Sequence, residues 1–271
     1  MILCPSSEIN ATDALGRTAL WWAAWTADLD AVRTLLEHGA DPNLKDEACG
    51  ESPLYEACYD DSVELIESLL QHGADPIATN KDGSTALHIR ACLSDFSGPV
   101  DCSSANKHVL NTLLDAGVPI DACDRLGHTA LMEAIRCNSH SAIKILLKRG
   151  AGYTAKTNHG YTILHIVATW ADATTMRILT AHGLPGIDFD KKAKRTGMTA
   201  LEQFEGVKSE MVAEEIEAFY HLWRKVSTPG SLREECRMAP ATGFLAMEEP
   251  DDEGSSDDDG SDEIFFDAVG F

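Results

Sequence analysis

Two series of glycines run through this chain on one shared period. The first falls at Gly16, Gly50, Gly83, Gly127, Gly160 and Gly197, at intervals of 34, 33, 44, 33 and 37 residues. The second falls at Gly39, Gly73, Gly117, Gly150 and Gly183, at intervals of 34, 44, 33 and 33. The single 44 reads as 33 plus an insertion of 11 residues. Self-similarity at such a period marks a chain that builds one small supersecondary unit repeatedly and stacks the copies.

The residues between the glycines say what the unit is. Thr18, Ser52, Thr85, Thr129 and Thr162 each follow a glycine of the first series by two residues. There a hydroxyl can accept from the free N–H groups at a helix start. Small residues in the first helix (Ala23 and Ala24; Ala57 and Cys58) allow close approach of a neighbour, and paired leucines (Leu35–Leu36, Leu69–Leu70) mark a second helix. The second glycine series then supplies the left-handed conformation that ends that helix. One such helix pair cannot bury its apolar face alone, whereas stacked pairs can.

The stretches "SPLYEA", "TALHIRA", "TILHIVA", "LLEHGADPN" and "LLQHGADP" resemble the ankyrin repeat, over about residues 13–206. The resemblance implies an all-α ankyrin-repeat solenoid of helix–turn–helix pairs with β-hairpin fingers. Its units span about 13–45, 46–79, 80–123 (with an insertion at 94–105), 124–156 and 157–193, then a degenerate sixth at 194–206. Residues 207–228 are expected to form a capping helix, with Val212, Ile216, Phe219, Trp223 and Val226 spaced along one face. Acids early and bases late in that helix suit its dipole, and Pro229 stops it.

At the other end, residues 1–12 provide only a lead-in and part of a hairpin arm. The first repeat is therefore expected to show a face that a preceding unit would cover. A few hundred Å² of such surface would be worth on the order of 5–10 kcal/mol as an upper bound. A partner on that uncovered N-terminal face is one reading. Another is that the chain is part of a longer product, as its recognition or sensing array.

Positions that change between copies, where packing does not, face solvent or a ligand. Trp25, Tyr59, Cys92, Arg136 and Thr169 form one such row, and Thr26, Asp60, Leu93, Cys137 and Trp170 the next. In ankyrin proteins these rows line the concave surface that grips partners, together with fingertip residues. By that resemblance Trp25, Tyr59, Arg136 and Trp170, with fingertips Leu15, Arg17, Glu51, His128 and Tyr161, are the candidate partner-binding residues. Large aromatics dominate interface hot spots. Trp21, in the row of Tyr55, His88, Met132 and His165, is expected inside, and Trp22 on the uncovered first face. Arg90 stands where the other copies carry Ala23, Ala57, Ala134 or Val167, which predicts either a distorted helix pair or a pairing with an acid.

Composition narrows the function. The net charge is −22 over 271 residues, of which the 43 residues from Pro229 onward carry 13 acids and 2 bases. An acidic body repels phosphate backbones, so nucleic acid is not an expected partner. No apolar run reaches the roughly 20 residues of a membrane helix, and "MILCPSSEIN" is no secretory signal. Eight scattered cysteines without a Cys-x-x-Cys pair then read as reduced thiols in the cytoplasm or nucleus rather than in a secreted protein. Lys191, Lys192, Lys194 and Arg195 form the basic run "KKAKR", which fits nuclear localisation and also falls where a finger belongs.

The tail "EEPDDEGSSDDDGSDE" (248–263) is expected to be disordered. Ser255 and Ser256 within it, each with an acid three residues on, resemble acidophilic kinase sites. The closing "IFFDAVGF" resembles a docking motif. No catalytic, metal-binding or cofactor-binding pattern is present: HExxH, a P-loop, GxSxG and GxGxxG are all missing. Composition and motif together point to a non-enzymatic adaptor that binds another protein.

Overall fold

A computed structural model describes residues 8–93 and 102–227. It contains twelve α-helices among the described residues, arranged as six consecutive pairs. The pairs are α1 (Ala19–Trp25) with α2 (Leu29–Glu37), α3 (Pro53–Ala57) with α4 (Val63–Gln71), and α5 (Ala86–Cys92) with α6 (Cys102–Asp115). They continue as α7 (Ala130–Arg136) with α8 (His140–Lys148), α9 (Ile163–Trp170) with α10 (Ala173–His182), and α11 (Ala200–Val207) with α12 (Ala213–Val226). First helices pack on first helices and second helices on second, giving two layers with the core between them. Leu20, Leu54, Leu87, Leu131 and Leu164, one per repeat, fill that core beside Val32, Leu65, Leu69, Leu113, Leu146 and Leu179.

The expected caps form. Thr18 Oγ1 accepts from Trp21 N at 3.1 Å, and Ser52 and Thr129 do the same for Tyr55 and Met132. Thr85 and Thr162 pair with a histidine three residues on: the Thr85 N–H donates to His88 Nδ1 at 3.2 Å, and the Thr162 N–H to His165 Nδ1 at 3.2 Å. At the other end, Gly39 has φ +87° and the Ala40 N–H reaches back to Leu35 O at 3.0 Å. His38 and His72 recur before that glycine because Nδ1 meets the carbonyl of Thr34 or Ser68 one turn back.

Between pairs the chain forms tight fingers rather than long strands. Single antiparallel bridges close them at Thr12–Thr18, Thr79–Thr85, Cys123–Thr129, Lys156–Thr162 and Lys192–Thr199. An acid or amide folds over the first four tips: Asp13 Oδ1 accepts from Leu15 N and Arg17 N, and Asp46, Asn80 and Asp124 repeat the pattern. Successive fingers are stitched by backbone bonds, one at each of the first four junctions and two at the last, where Arg195 N also reaches His159 O at 3.3 Å. Glu47 N donates to Leu15 O, Lys81 N to Cys49 O, Arg125 N to Asp82 O, Asn158 N to Leu126 O and Lys194 N to His159 O, all at 2.7–2.8 Å. Gly16, at φ +77°, stands where a Cβ would lie 2.6 Å from Glu47 Cγ, so the turn and the stacking both require glycine there.

Three expectations need correction. Helix α6 begins at Cys102, so the last four residues of the 94–105 insertion belong to a helix instead of a loop. Val212 precedes α12 in an extended conformation and is 61 % exposed, so it does not share the buried face. That face instead includes Tyr220 and Leu222 beside Phe219 and Trp223, because α12 is wedged against two helices. It packs on α10, while Phe219 stacks on Phe204 of α11 at 3.6 Å. The helix read as a separate cap therefore completes a sixth pair, taking the place that second helices take elsewhere. The 94–101 segment, Ser255, Ser256 and "IFFDAVGF" lie outside the described residues.

Candidate functional site

The inner ends of the first helices carry the largest apolar side chains left in water. Trp25 is 58 % exposed, Tyr59 51 % and Trp170 56 %, while the rest of each helix is largely buried. Arg136 in the same region is exposed and held by Glu133 at 2.6 Å. Of the fingertips, Leu15 is exposed and Arg17, Glu51, His128 and Tyr161 are half-buried. Lys192, Lys194 and Arg195 are exposed on the finger before α11, with Lys191 half-buried beside them.

Five of these residues come together. Leu15, Arg17, Trp25, Glu51 and Tyr59 line one open cleft of about 360 Å³ between the first two fingers, together with Trp21, Asp46, Ala48, Cys49 and Glu56. Arg136, His128, Tyr161 and Trp170 belong to later repeats and do not reach it. Trp25 and Tyr59 meet there because they hold the same position in adjoining repeats and α1 packs on α3.

The cleft is aromatic on its walls and acidic on its floor. Trp21, 7 % exposed, is interior as expected, yet its indole N–H has no acceptor. In the equivalent positions His88 Nε2 meets His128 O and His165 Nε2 meets Met198 O of the following finger, both at 3.1 Å. Tyr55 in that row accepts from Asn80 Nδ2 at 3.0 Å. Asp46 is spent on its own finger, accepting from Ala48 N, Cys49 N and Glu51 N. Glu56 is 5 % exposed and has no basic partner among the described residues. Burial, a hydrogen bond shared with Glu51 and the charges of Glu51 and Asp46 push its carboxyl up to about 8. Burial also raises the Tyr59 hydroxyl to about 12, so it stays neutral.

Trp22 is exposed, at 36 %, and is held by its own repeat. Its indole N–H donates to Asp13 Oδ2 at 3.3 Å, and the Arg17 guanidinium lies over its ring at 4.2 Å from the centroid. Arg17 is itself neutralised by Asp13 at 2.9 Å.

Two features of this surface were not legible in the spacing of residues. Cys92 and Cys137 are joined by a disulfide across the third and fourth repeats, with Cα atoms 5.3 Å apart, which corrects the expectation of thiols throughout. Stacking in register brings the end of α5 beside the end of α7 although 45 residues separate them. Asp124 and Glu133 also converge on His128 Nδ1, at 3.3 and 3.7 Å. Glu133 is shared with Arg136, which makes the group a closed polar cluster at the fourth finger.

The fold and its fingers define an ankyrin repeat protein, and sequence comparison agrees. Ankyrin repeat families match residues 15–47, 54–91 and 100–193, and the chain belongs to this family. It is 32 % identical over 157 residues to human neurogenic locus notch homolog protein 1, covering 58 % of this chain and 6 % of that protein. The mouse counterpart is 33 % identical over the same span. Tyrosine-protein kinase Shark of Drosophila melanogaster is 30 % identical over 136 residues, 47 % of this chain and 13 % of Shark. The chain thus spans a small part of the length of these relatives. Ankyrin arrays are interaction modules, and no helix among the described residues is long and apolar enough to cross a membrane.

Proposed function

We propose that this array is a non-enzymatic adaptor that holds a protein partner against its concave face and fingers. The carrying observation is the set of exposed aromatics, Trp25, Tyr59 and Trp170, at or just past the ends of first helices that are otherwise largely buried. Leaving such rings in water forgoes roughly 1.5–3 kcal/mol of burial each, and a partner that covers them recovers it. Arg136 and the fingertips Leu15, Arg17, Glu51, His128 and Tyr161 surround those anchors with the polar rim that interfaces use. The test is affinity capture from lysate with the wild-type chain and with Trp25→Ala/Tyr59→Ala/Trp170→Ala, after both are shown to melt alike. Loss of a specific partner from the variant is the expected result. An unchanged set of partners refutes the concave-face reading.

A second reading, the recognition array of a longer product, draws on the same comparisons, since the relatives are many times longer than this chain. Immunoblotting of cells with an antibody against the repeats distinguishes the two by the length of the polypeptide detected.

A further inference from the structure

We propose that the cleft between the first two fingers receives a basic side chain, lysine or arginine, from the bound protein. This rests on the adaptor reading above and names the chemistry of one of its contacts.

The floor decides the sign of the ligand. Glu56 is nine-tenths buried, lines the cleft and has only acids for carboxyl neighbours, Glu51 and Asp46 on the second finger. A buried carboxyl without a basic partner is costly when ionised. The one cation on the rim, Arg17, is already matched to Asp13. Lys81 of the third finger is turned to the Glu47 carbonyl. An anionic side chain would be repelled by Glu51, and neither it nor an apolar one would supply the positive charge that an ionised Glu56 lacks.

The walls decide its shape. Trp25 and Tyr59 offer ring surface beside Trp21, over which Arg17 already lies at 5.4 Å from the centroid, and an ammonium or guanidinium is attracted to such faces. The adjoining ring of Trp22 already carries a guanidinium at 4.2 Å, so this surface accommodates the contact. The buried indole N–H of Trp21, a residue that lines the same cleft, is a second signal: it is a donor lacking an acceptor. The chain's charge of −22 adds a long-range attraction for a basic segment.

Occupation would also move a proton. Without a cation in the cleft Glu56 keeps its proton through neutrality, while Tyr55 on α3 and Tyr59 just past it stay neutral as well. An arriving cation favours the ionised carboxylate, so Glu56 releases its proton and binding tightens as pH rises from 7 to 9.

The experiment follows the five tryptophan indole N–H signals of the full chain by ¹H–¹⁵N NMR, assigned with Trp→Phe variants. The probes are N-acetyl-lysine N-methylamide and its arginine counterpart, with the norleucine and glutamate derivatives as apolar and acidic controls, each to about 50 mM. The expected result is a saturable shift of the Trp21 and Trp25 signals with the basic probes alone, tighter at pH 9 than at pH 7, while Trp170 stays still. Glu51→Gln/Glu56→Gln, isosteric and folded by its melting curve, should weaken it about tenfold, as loss of a charge-assisted contact does. Equal shifts with norleucine, shifts with glutamate, no saturable shift with either basic probe, or unaltered binding by the glutamine variant would each overturn the proposal. If capture still depends on Trp25, Tyr59 and Trp170 while the basic probes fail, the cleft assignment falls and the adaptor reading stands. If the probes bind but capture is indifferent to the triple variant, the adaptor reading falls instead.

Discussion

Replacing Arg90 by alanine should unfold the array from its middle. Arg90 is 2 % exposed in the third repeat, at a position that other copies fill with alanine or valine. Its Nε donates to Asn106 Oδ1 at 2.8 Å, and its Nη1 to the carbonyls of Cys58 and Asp60 at 3.2 and 3.1 Å. Its Nη2 is paired with Asp61. Asn106 continues the chain of contacts to Ser141 Oγ at 3.1 Å, so one guanidinium ties the second, third and fourth repeats together.

The Asp61 side chain is 45 % exposed, and an ion pair so open to water contributes little, about 0–1 kcal/mol. The three neutral acceptors matter more, those of Asn106 and Cys58 being buried and that of Asp60 part-buried. Each loses its donor in Arg90→Ala at about 1 kcal/mol or more, and the total of about 3–5 kcal/mol matches the usual cost of breaking a buried charged contact. At about 2–4 °C per kcal/mol for an array of this size, the melting temperature should fall by roughly 10 °C. Urea unfolding followed by tryptophan fluorescence and circular dichroism measures it. The two signals should separate, because repeats uncoupled in the middle unfold in two steps. A loss below about 1 kcal/mol would refute the argument, as would Asp61→Ala costing as much as Arg90→Ala. Arg90→Met, which keeps the stem, should recover packing and still leave the carbonyls unpaired.

Other outcomes follow from the same contacts. Burial holds His88 and His165 below the ordinary histidine range, against the opposing pull of their hydrogen bonds to His128 O and Met198 O. Their contribution is complete above the unfolded value of about 6.5 and lost as pH falls below it; His88→Gln/His165→Gln should flatten the fall of melting temperature between pH 7 and 5. Glu56 acts in the opposite direction. With its carboxyl raised to about 8, stability is lost as pH climbs through that value, so Glu56→Gln should melt higher than wild type at pH 9. Alkylation of denatured, unreduced protein should leave Cys92 and Cys137 unmodified. Reducing that link, which closes 45 residues, should cost up to about 4 kcal/mol by loop entropy. Full alkylation, or a melting curve indifferent to reductant, would contradict the bond.

What could be read from the chain alone was what repeats or acts locally. The glycines at positive φ, the Thr and Ser caps and the paired leucines are constraints within one unit, so their period revealed the unit. The rows that do not repeat located Trp25, Tyr59 and Trp170 on exposed surface for the complementary reason, that no packing partner constrains them. Glu56 does not stand out in the sequence because its row, with Trp22, Ile89, Glu133 and Ile166, has no common character, and a carboxyl in a mixed row reads as solvated. Val212 was misplaced because spacing alone does not say on which residue a helix begins.

Stacking decided the rest. Arg90 offered a choice between distortion and pairing, and only the stacking of the third repeat on the second brought Asp61 and Cys58 O within its reach beside Asn106. Cys92 and Cys137, 45 residues apart, and the two fingers that enclose Glu56 are likewise neighbours only through the rise from one repeat to the next. A repeat pattern specifies each unit because its forces act over a few residues. Which side chains meet across units depends on the small rotation and offset between copies, and that geometry exists only once the copies are packed.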